Sequence, residues 1–470
     1  MDGSRASSAS PAEARGLRLL RAALPASLLA EALLLPPALG GVLPAVYGPF
    51  LALALTAGLL SWGLGHWDRA HGREVPSVPG RGPLLAFHAL VALQLVPLPP
   101  GLLRLVSPGS FAFHDERLLL GLRSWEPISV SPPDTLRGLL FLLALTQVYA
   151  LAFRELGREA WRRRLAGAVV AAGVASTALA LVQAARGDTL LWGFIQARWD
   201  WAVFGPYVNR NHFAGQLVLA LPLALGFALE AALRLGRASV ARRGLLLLGE
   251  PESGRLLLHA ALAGFLATGL LASRSRGALV ATVLALAVTL LASRRRRPLL
   301  GLVALVALAA AVAVGVGSLS VNLSVEAARQ SRLLAWADML RMAPRFPFFG
   351  AGFNAFGTAY LPYQTIDKGD WWGEAHNEYL QLLLDTGLAG LLLFGALLLR
   401  LVPALARASR AGPAGQLLVA AVLGMALHNV VEFNWQIPAN AATFAALLGA
   451  ALRLAPAPRL TPSPSIPRIV

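Results

Sequence analysis

Apolar stretches of roughly 18 to 23 residues recur along this chain, each long enough to cross a hydrocarbon layer ~30 Å thick. In lipid every backbone N–H and C=O must find its partner within the protein, so runs of this length are read as helices. The expected fold class is therefore all-α, a polytopic transmembrane helical bundle. Twelve spans are expected, at about 22–40, 43–64, 83–103, 136–153, 165–185, 212–233, 256–273, 277–293, 298–319, 379–399, 414–431 and 437–452. Composition excludes the soluble alternative for a chain of 470 residues, since only 14% are charged and 56% are hydrophobic, against about 25% charged in soluble domains. There is no cysteine, which excludes disulfides, thiolate metal sites and Cys nucleophiles.

The net charge of +17 would suggest nucleic-acid binding in a soluble protein. In a membrane chain it is a question of topology, because cytoplasmic loops collect Lys and Arg. With the N-terminus placed inside, alternate loops hold 27 of the 41 basic residues, among them Arg154, Arg158, Arg162 to Arg164 and Arg294 to Arg297. The acidic residues divide the other way, so one face carries all of the excess charge. That supports an even number of spans with both termini in the cytoplasm, and it leaves no nucleic-acid partner to expect. The Arg294–Arg297 run reads as a cytoplasmic stop against anionic lipid.

Residues 1–21 read as a cytoplasmic tail and 22–455 as the transmembrane domain. The Pro/Ser-rich segment 456–470 reads as a disordered tail. The apolar stretch after residue 21 contains Glu31, Pro36 and Pro37 and runs into the next span, so it reads as a retained anchor rather than a cleaved signal. Between the ninth and tenth spans lies a long outer loop, 320–378. Loops of this length are usually functional. Its helical spacing over 326–342 (Ala327, Leu333, Leu334, Trp336, Ala337, Leu340) predicts a helix on the membrane face.

Ionisable groups near spans are costly, so their positions are informative. Five outer clusters stand out. Asn209, Arg210, Asn211 and His212 crowd the mouth of span six, where Asn211 could cap the helix and Tyr207 could anchor it at the interface. Ser273-Arg274-Ser275-Arg276-Gly277 puts two arginines on a turn that the charge rule disfavours. Arginine binds phosphate oxygens bidentately and stays charged, and a helix begins there with free N–H groups. In the long loop, Arg329 and Arg332 stand about one helical turn apart, and a Gly350-Ala-Gly352 turn follows. Glu374-Ala-His376-Asn377-Glu378 opens span ten with a group able to act as a base near neutral pH. The last connection carries His428 and Glu432 at helical spacing. Each cluster also has a purely structural reading, as caps, snorkelling side chains or solvated loop.

A zinc site on His376 and His428 lacks a third ligand. Asp367, Asp370 and Glu374 could bind a divalent ion, but a solvated acidic loop explains them as well. No Walker sequence or dinucleotide fingerprint is present, and no cluster faces the cytoplasm. No metal or other cofactor is expected.

In order along the chain, Ser275-Arg276-Gly277, Arg332 with Trp336, Gly350-x-Gly352-x-Asn354-x-Phe356 and His376-Asn377-x9-Gly387-x-x-Gly390 resemble the O-antigen ligase and polymerase superfamily. His428-Asn429 through Pro438 and Asn211 to Ala214 extend the resemblance over about 205–445. It implies a twelve-span bundle in the bacterial inner membrane, with a periplasmic loop over the active site. It implies inverting, metal-independent transfer of a glycan from undecaprenyl diphosphate to an acceptor hydroxyl. In ligases the acceptor is a sugar of lipid A-core; in polymerases it is another lipid-linked repeat unit. Carried over, Arg276 and Arg332 bind the diphosphate, and His376 is the base or positions the acceptor hydroxyl. Arg274, Arg210, Asn211, Arg329, Asn377 and Glu374 are expected around the substrate. The chemistry is consistent, because a lipid diphosphate leaves readily once its charge is neutralised. A competing reading is a solute or bicarbonate transporter, a name some superfamily members carry. Transporters place polar groups at mid-membrane in broken helices, whereas these spans are nearly free of charge there, Glu31 excepted.

Overall fold

The computed structural model describes residues 11–117, 125–187, 190–191, 195–196, 204–238, 250–291, 324–366, 369 and 371–455. In chain order the helices are α1 (Pro11–Leu34), α2 (Pro44–Ala70), α3 (Arg81–Leu93), α4 (Pro100–Val106), α5 (Pro108–Arg117), α6 (Pro132–Glu155), α7 (Glu159–Arg186), α8 (Arg210–Ala238), α9 (Pro251–Ala272), α10 (Arg276–Leu291), α11 (Ser324–Met342), α12 (Phe356–Tyr360), α13 (Glu378–Ala408), α14 (Pro413–His428) and α15 (Pro438–Arg453). Strands are confined, among the described residues, to one antiparallel pair, Leu190–Leu191 with Ile195–Gln196. Proline opens α2, α4, α6, α9, α14 and α15. At the first helical position it removes an N–H that has no partner anyway, and its φ is already helical.

Among the described residues six helices are long and apolar enough to cross a membrane: α2, α6, α7, α8, α9 and α13. The shorter apolar helices α3, α10 and α14 lie among them. The expected span at 298–319, and the Arg294–Arg297 run before it, lie outside the described residues. The third expected span is cut short. α3 stops at Leu93 instead of running to 103, because Pro97, Pro99 and Pro100 cannot continue a helix. The first helix begins at Pro11, so much of the segment read as a tail is helical.

The bundle is centred on α6, α8, α14 and α15, with α8 against α9, α6 against α15 and α10 against α14. Small side chains make this possible. Ala442, Ala445, Ala446 and Ala450 of α15 are all buried. Between helices in lipid there is little hydrophobic drive, so association depends on such close backbone approach.

A second, smaller core lies above the bundle. Ala335, Met339 and Met342 of α11 pack with Phe346, Ala351, Ala355, Phe356, Tyr360, Ala375 and Leu384. The buried face of α11 is thus Ala335-Met339-Met342, and not the apolar stripe read from the sequence. Leu333, Leu334 and Leu340 of that stripe point outward. Asp338 pins the segment that follows α12 by accepting from the Thr365 N–H at 2.9 Å and hydroxyl at 2.7 Å.

The loop is fastened to the bundle through a break in α13. Gly387 takes φ 60° and ψ −160°, which interrupts the helical ladder. The freed backbone groups bond to the loop: Ala351 N–H to Leu384 O at 2.8 Å, Leu388 N–H to Pro347 O at 2.9 Å, and Ala389 N–H to Phe348 O at 3.0 Å. Gly350 passes so close that a Cβ there would lie 2.2 Å from the Asp385 carbonyl carbon. Buried Gln94, just past α3, donates to Phe349 O at 2.6 Å and Asp385 O at 2.8 Å.

Candidate functional site

Four elements meet where the loop covers the bundle. α11 brings Arg332, the turn before α13 brings His376, the α14–α15 connection brings Glu432, and the start of α8 brings Asn211 and His212. Arg332 Nη2 donates to Glu432 Oε1 at 3.0 Å, and its Nη1 donates to Val431 O at 3.3 Å. Asn211 Nδ2 donates to the same Glu432 oxygen at 2.6 Å. The second oxygen, Oε2, lies 3.6 Å from His376 Nδ1 and 3.9 Å from His212 Nε2. It has no hydrogen bond within ordinary distance, so the two imidazoles face it at ion-pair range. His376 Nδ1 also lies 3.4 Å from Arg332 Nη2.

Phe433 stands between the two imidazoles, edge-on to His212 at 4.5 Å and to His376 at 4.7 Å between ring centroids. Trp372 closes the other side of His376 at 5.8 Å. His376 holds a left-handed backbone conformation with φ 50°, uncommon for a residue with a side chain. Backbone strain of this kind persists only where the surroundings impose it. Here the next residue fixes it, since Asn377 Oδ1 caps α13 by accepting from the N–H groups of Tyr379 at 3.1 Å and Leu380 at 3.0 Å.

A buried polar lattice supports the Glu432 turn. Asn434 donates to Asn429 Oδ1 at 3.0 Å and contacts His428 Nδ1 at 3.2 Å. Asn440 donates to Asn434 Oδ1 at 2.9 Å and to the His212 carbonyl at 2.8 Å, and it accepts from the Tyr207 hydroxyl at 3.1 Å. Asn434 and Asn440 each use donor and acceptor together, which holds the turn against α8.

The electrostatics differ sharply between two carboxylates. Burial pushes Glu432 up, but the adjacent His376 and the Arg332 charge outweigh it and hold the carboxyl at about 2. For Glu374 burial wins over the hydrogen bond from Gln381 and raises it to about 7. The site therefore has a carboxylate held ionised at neutral pH behind His376 and one raised toward neutral two residues before it.

Of the expected site residues, Arg332, His376 and Asn211 converge. Arg276 is the exposed first residue of α10, and Arg274 is exposed on the turn before it with φ 53°. Their turn adjoins the site: a Cβ on Gly277 would lie 2.6 Å from Val431 and 3.4 Å from His428. Among the described residues neither arginine has a hydrogen bond or ion pair to Arg332, His376 or Glu432. Arg210 is exposed at the start of α8. Arg329 lies in α11, its side chain outside the described set. Glu374 is engaged by Gln381, and Asn377 serves as the cap described above. Asp367 and Asp370 lie outside the described residues. Among the described residues no group of three or more His, Asp or Glu is placed to hold a metal ion.

Three readings of the sequence are corrected. α8 is capped by Asn209, whose Oδ1 accepts from Asn211 N–H at 2.8 Å, which frees the Asn211 side chain for Glu432. Tyr207 is not an interfacial anchor but one of the largest fully buried side chains. Glu432 is not at helical spacing from His428, because α14 ends at His428. The sequence signal for Glu432 was an acid in an otherwise apolar connection.

An apolar cleft runs down from this region. It has a volume of about 610 Å³ and is bounded by Glu378, Gln381 and Trp435 at the site end and by Ser409 and Arg410 at the other. Its walls are side chains such as Phe87, Phe141, Leu397 and Phe444. Glu378 ties this end to the site turn by accepting from the Trp435 N–H at 2.7 Å.

Fold and site together define a multi-pass helical membrane protein whose covering loop completes an Arg–His–carboxylate centre. Residues 261–395 match the family model described as O-antigen ligase. This supports the superfamily that the ordered motifs resemble, a family of membrane glycan ligases and polymerases that transfer glycosyl groups. The matched segment contains Arg276, Arg332 and His376 but not Asn211, His212 or Glu432, which the fold brings to Arg332 and His376. No curated protein matches the chain.

Proposed function

We propose that this protein is a glycosyltransferase of the O-antigen ligase kind, in the bacterial inner membrane, with twelve spans, both termini in the cytoplasm and the His376 centre facing the periplasm. It transfers a glycan from undecaprenyl diphosphate to an acceptor hydroxyl, most simply on lipid A-core. The observation that carries this reading is the convergence of Arg332, His376 and Glu432 under a covering loop, at the head of an apolar cleft.

The chemistry follows from the geometry. Nδ1 of His376 lies 3.6 Å from ionised Glu432 and 3.4 Å from Arg332 Nη2, which can only donate; with Arg332 turned to the diphosphate, the carboxylate favours the tautomer with its proton on Nδ1. The lone pair of Nε2 is then free to take the acceptor proton. As the acceptor oxygen forms its bond to the anomeric carbon, the bond to the diphosphate oxygen breaks, and negative charge collects on the leaving group. Arg332, with Arg276 and Arg274 on the adjoining turn, supplies positive charge to it. The apolar cleft takes the polyprenyl chain. Arg210, exposed at the start of α8, is free to contact the glycan.

The test is a surface-glycan gel from a deletion strain complemented with the wild-type or the His376→Ala protein. Long chains left on the lipid carrier beside bare acceptor, restored by the wild type alone, are the expected result. Acceptors bearing single repeat units would make the protein a polymerase with the same chemistry. An unchanged profile, or full restoration by His376→Ala, would overturn the mechanism.

A further inference from the structure

A second cavity, of about 570 Å³, lies between α2, α3 and α6. Three of its lining residues are Arg69, Arg81 and Arg154, and none is acidic. Its remaining walls include the apolar side chains of Leu59, Trp62, Val78 and Leu85. It sits at the far end of the bundle from His376. α6 begins beside the loop, where Asn354 Nδ2 donates to Asp134 O at 3.2 Å. Arg154 comes near the other end of this 24-residue helix, about 30 Å from Asp134 at 1.5 Å per residue.

Neighbouring arginines show what is unusual here. Arg21 and Arg73 both pair with Asp68, and Arg163 pairs with Glu230. Arg162 donates to the carbonyls of Leu156 and Gly157 at 2.7 Å each. Among the described residues, Arg69, Arg81 and Arg154 have no such carboxylate or carbonyl. The Arg154 Nε–H is buried with no acceptor, and Arg69 and Arg154 are close enough to repel each other. Glu155, the acidic neighbour, is turned to Ser61, whose hydroxyl donates to it at 3.0 Å. Glu155 attracts Arg154 from a distance, but no carboxylate lines the cleft, so its three guanidinium groups lack an anion in contact, and phosphate is the anion their fork geometry fits best. Apolar walls continuing from the charged mouth suit an acyl chain, and the exposed Leu59, Trp62 and Leu85 are side chains that lipid would cover.

We propose that this cavity is a binding site for an anionic phospholipid of the leaflet opposite the His376 centre, its phosphate held by Arg69, Arg81 and Arg154. Leu84 and Thr146 line both this cavity and the apolar cleft beneath the His376 centre. The bound lipid thus braces α3, which forms a wall of that cleft.

The protein purified in detergent and stripped of lipid is titrated with phosphatidylglycerol, phosphatidylethanolamine or inorganic phosphate, and occupancy is read by native mass spectrometry. Phosphatidylglycerol should bind, and phosphatidylethanolamine more weakly. The Arg69→Gln/Arg81→Gln variant changes only exposed side chains and should keep its thermal melt, yet lose about tenfold or more in phosphatidylglycerol affinity. Adding Arg154→Gln should deepen the loss. The control Arg158→Gln/Arg400→Gln should bind as the wild type does. Equal affinity in the wild type and the double variant, or an equal loss in the control, would overturn the site. Inorganic phosphate that binds alone and displaces the lipid would overturn the assignment to a lipid and leave a soluble phosphate as the ligand.

Discussion

A carboxylate that stays ionised behind a histidine orients the ring and also holds the fold together through its cation. Glu432 does both, through His376 Nδ1 at 3.6 Å and Arg332 at 3.0 Å. Glu432→Gln keeps the acceptor for Asn211 and Arg332 but loses the charge. We expect kcat to fall about 100-fold or more, within the range for a mispositioned base, while KM changes little. Steady-state kinetics with a lipid-linked donor separate the two. The same carboxylates set opposite pH dependences. The Glu432 carboxyl lies near 2, below its ordinary value of 4.5, so its contribution to stability is present above pH 4.5 and is lost as pH falls toward 2. Glu374 lies near 7, so its contribution is complete below pH 4.5 and is lost as pH rises through 7. Each is worth at most about 3 kcal/mol. Thermal melts in detergent at pH 8 should therefore show Glu432→Gln below the wild type and Glu374→Gln above it. The reverse order would mean that these carboxylates are not held as described. At this scale the sequence exposes His376 and Arg332, because a histidine and paired arginines beside a span are costly enough to notice. It pairs Glu432 with His428 instead of with Arg332, a contact that spans 100 positions.

The elements were more legible than their joints. Runs of apolar residues mark spans because the hydrocarbon thickness sets their length, and Pro97, Pro99 and Pro100 were there to be read as the end of α3. The break in α13 was not legible. Within an apolar run, Gly387 and Gly390 look like small residues for helix contact, and only the docked loop shows why one of them leaves the helical region. The Gly350-x-Gly352 turn and Gly387 are two halves of one joint: loop backbone replaces the helical hydrogen bonds that the break gives up. Gly350→Ala is the direct test, since its φ of 73° disfavours a side chain and the Cβ would lie 2.2 Å from Asp385 and Thr386 backbone atoms. We expect a loss of about 3 kcal/mol or more, with the loop opened to limited proteolysis. The control Gly369→Ala, where a Cβ meets nothing within 4 Å, should melt and digest as the wild type does. Equal behaviour of the two variants would mean that the loop is held by its small hydrophobic core alone.

Across the whole molecule, the asymmetry of charge and the position of the site point the same way. The face that ends α2 and α6 is crowded with arginines, and the face that begins α6 and α13 carries the loop and His376. The proposed orientation follows the positive-inside rule, with the first face in the cytoplasm and the second outward, where a flipped lipid-linked glycan would be found. The chain offers a clean test because it has no cysteine, so each introduced cysteine is the one reactive thiol. Phe348→Cys and Leu361→Cys place it on the loop, at residues 54% and 49% exposed. Arg158→Cys places it on the opposite, basic face. In intact spheroplasts a membrane-impermeant maleimide should label the two loop positions, and Arg158→Cys should react only after the membrane is opened. Labelling of Arg158→Cys from outside, with the loop protected, would reverse the orientation. His376 would then face the cytoplasm, where a nucleotide-linked donor, rather than a flipped lipid diphosphate, would be within reach.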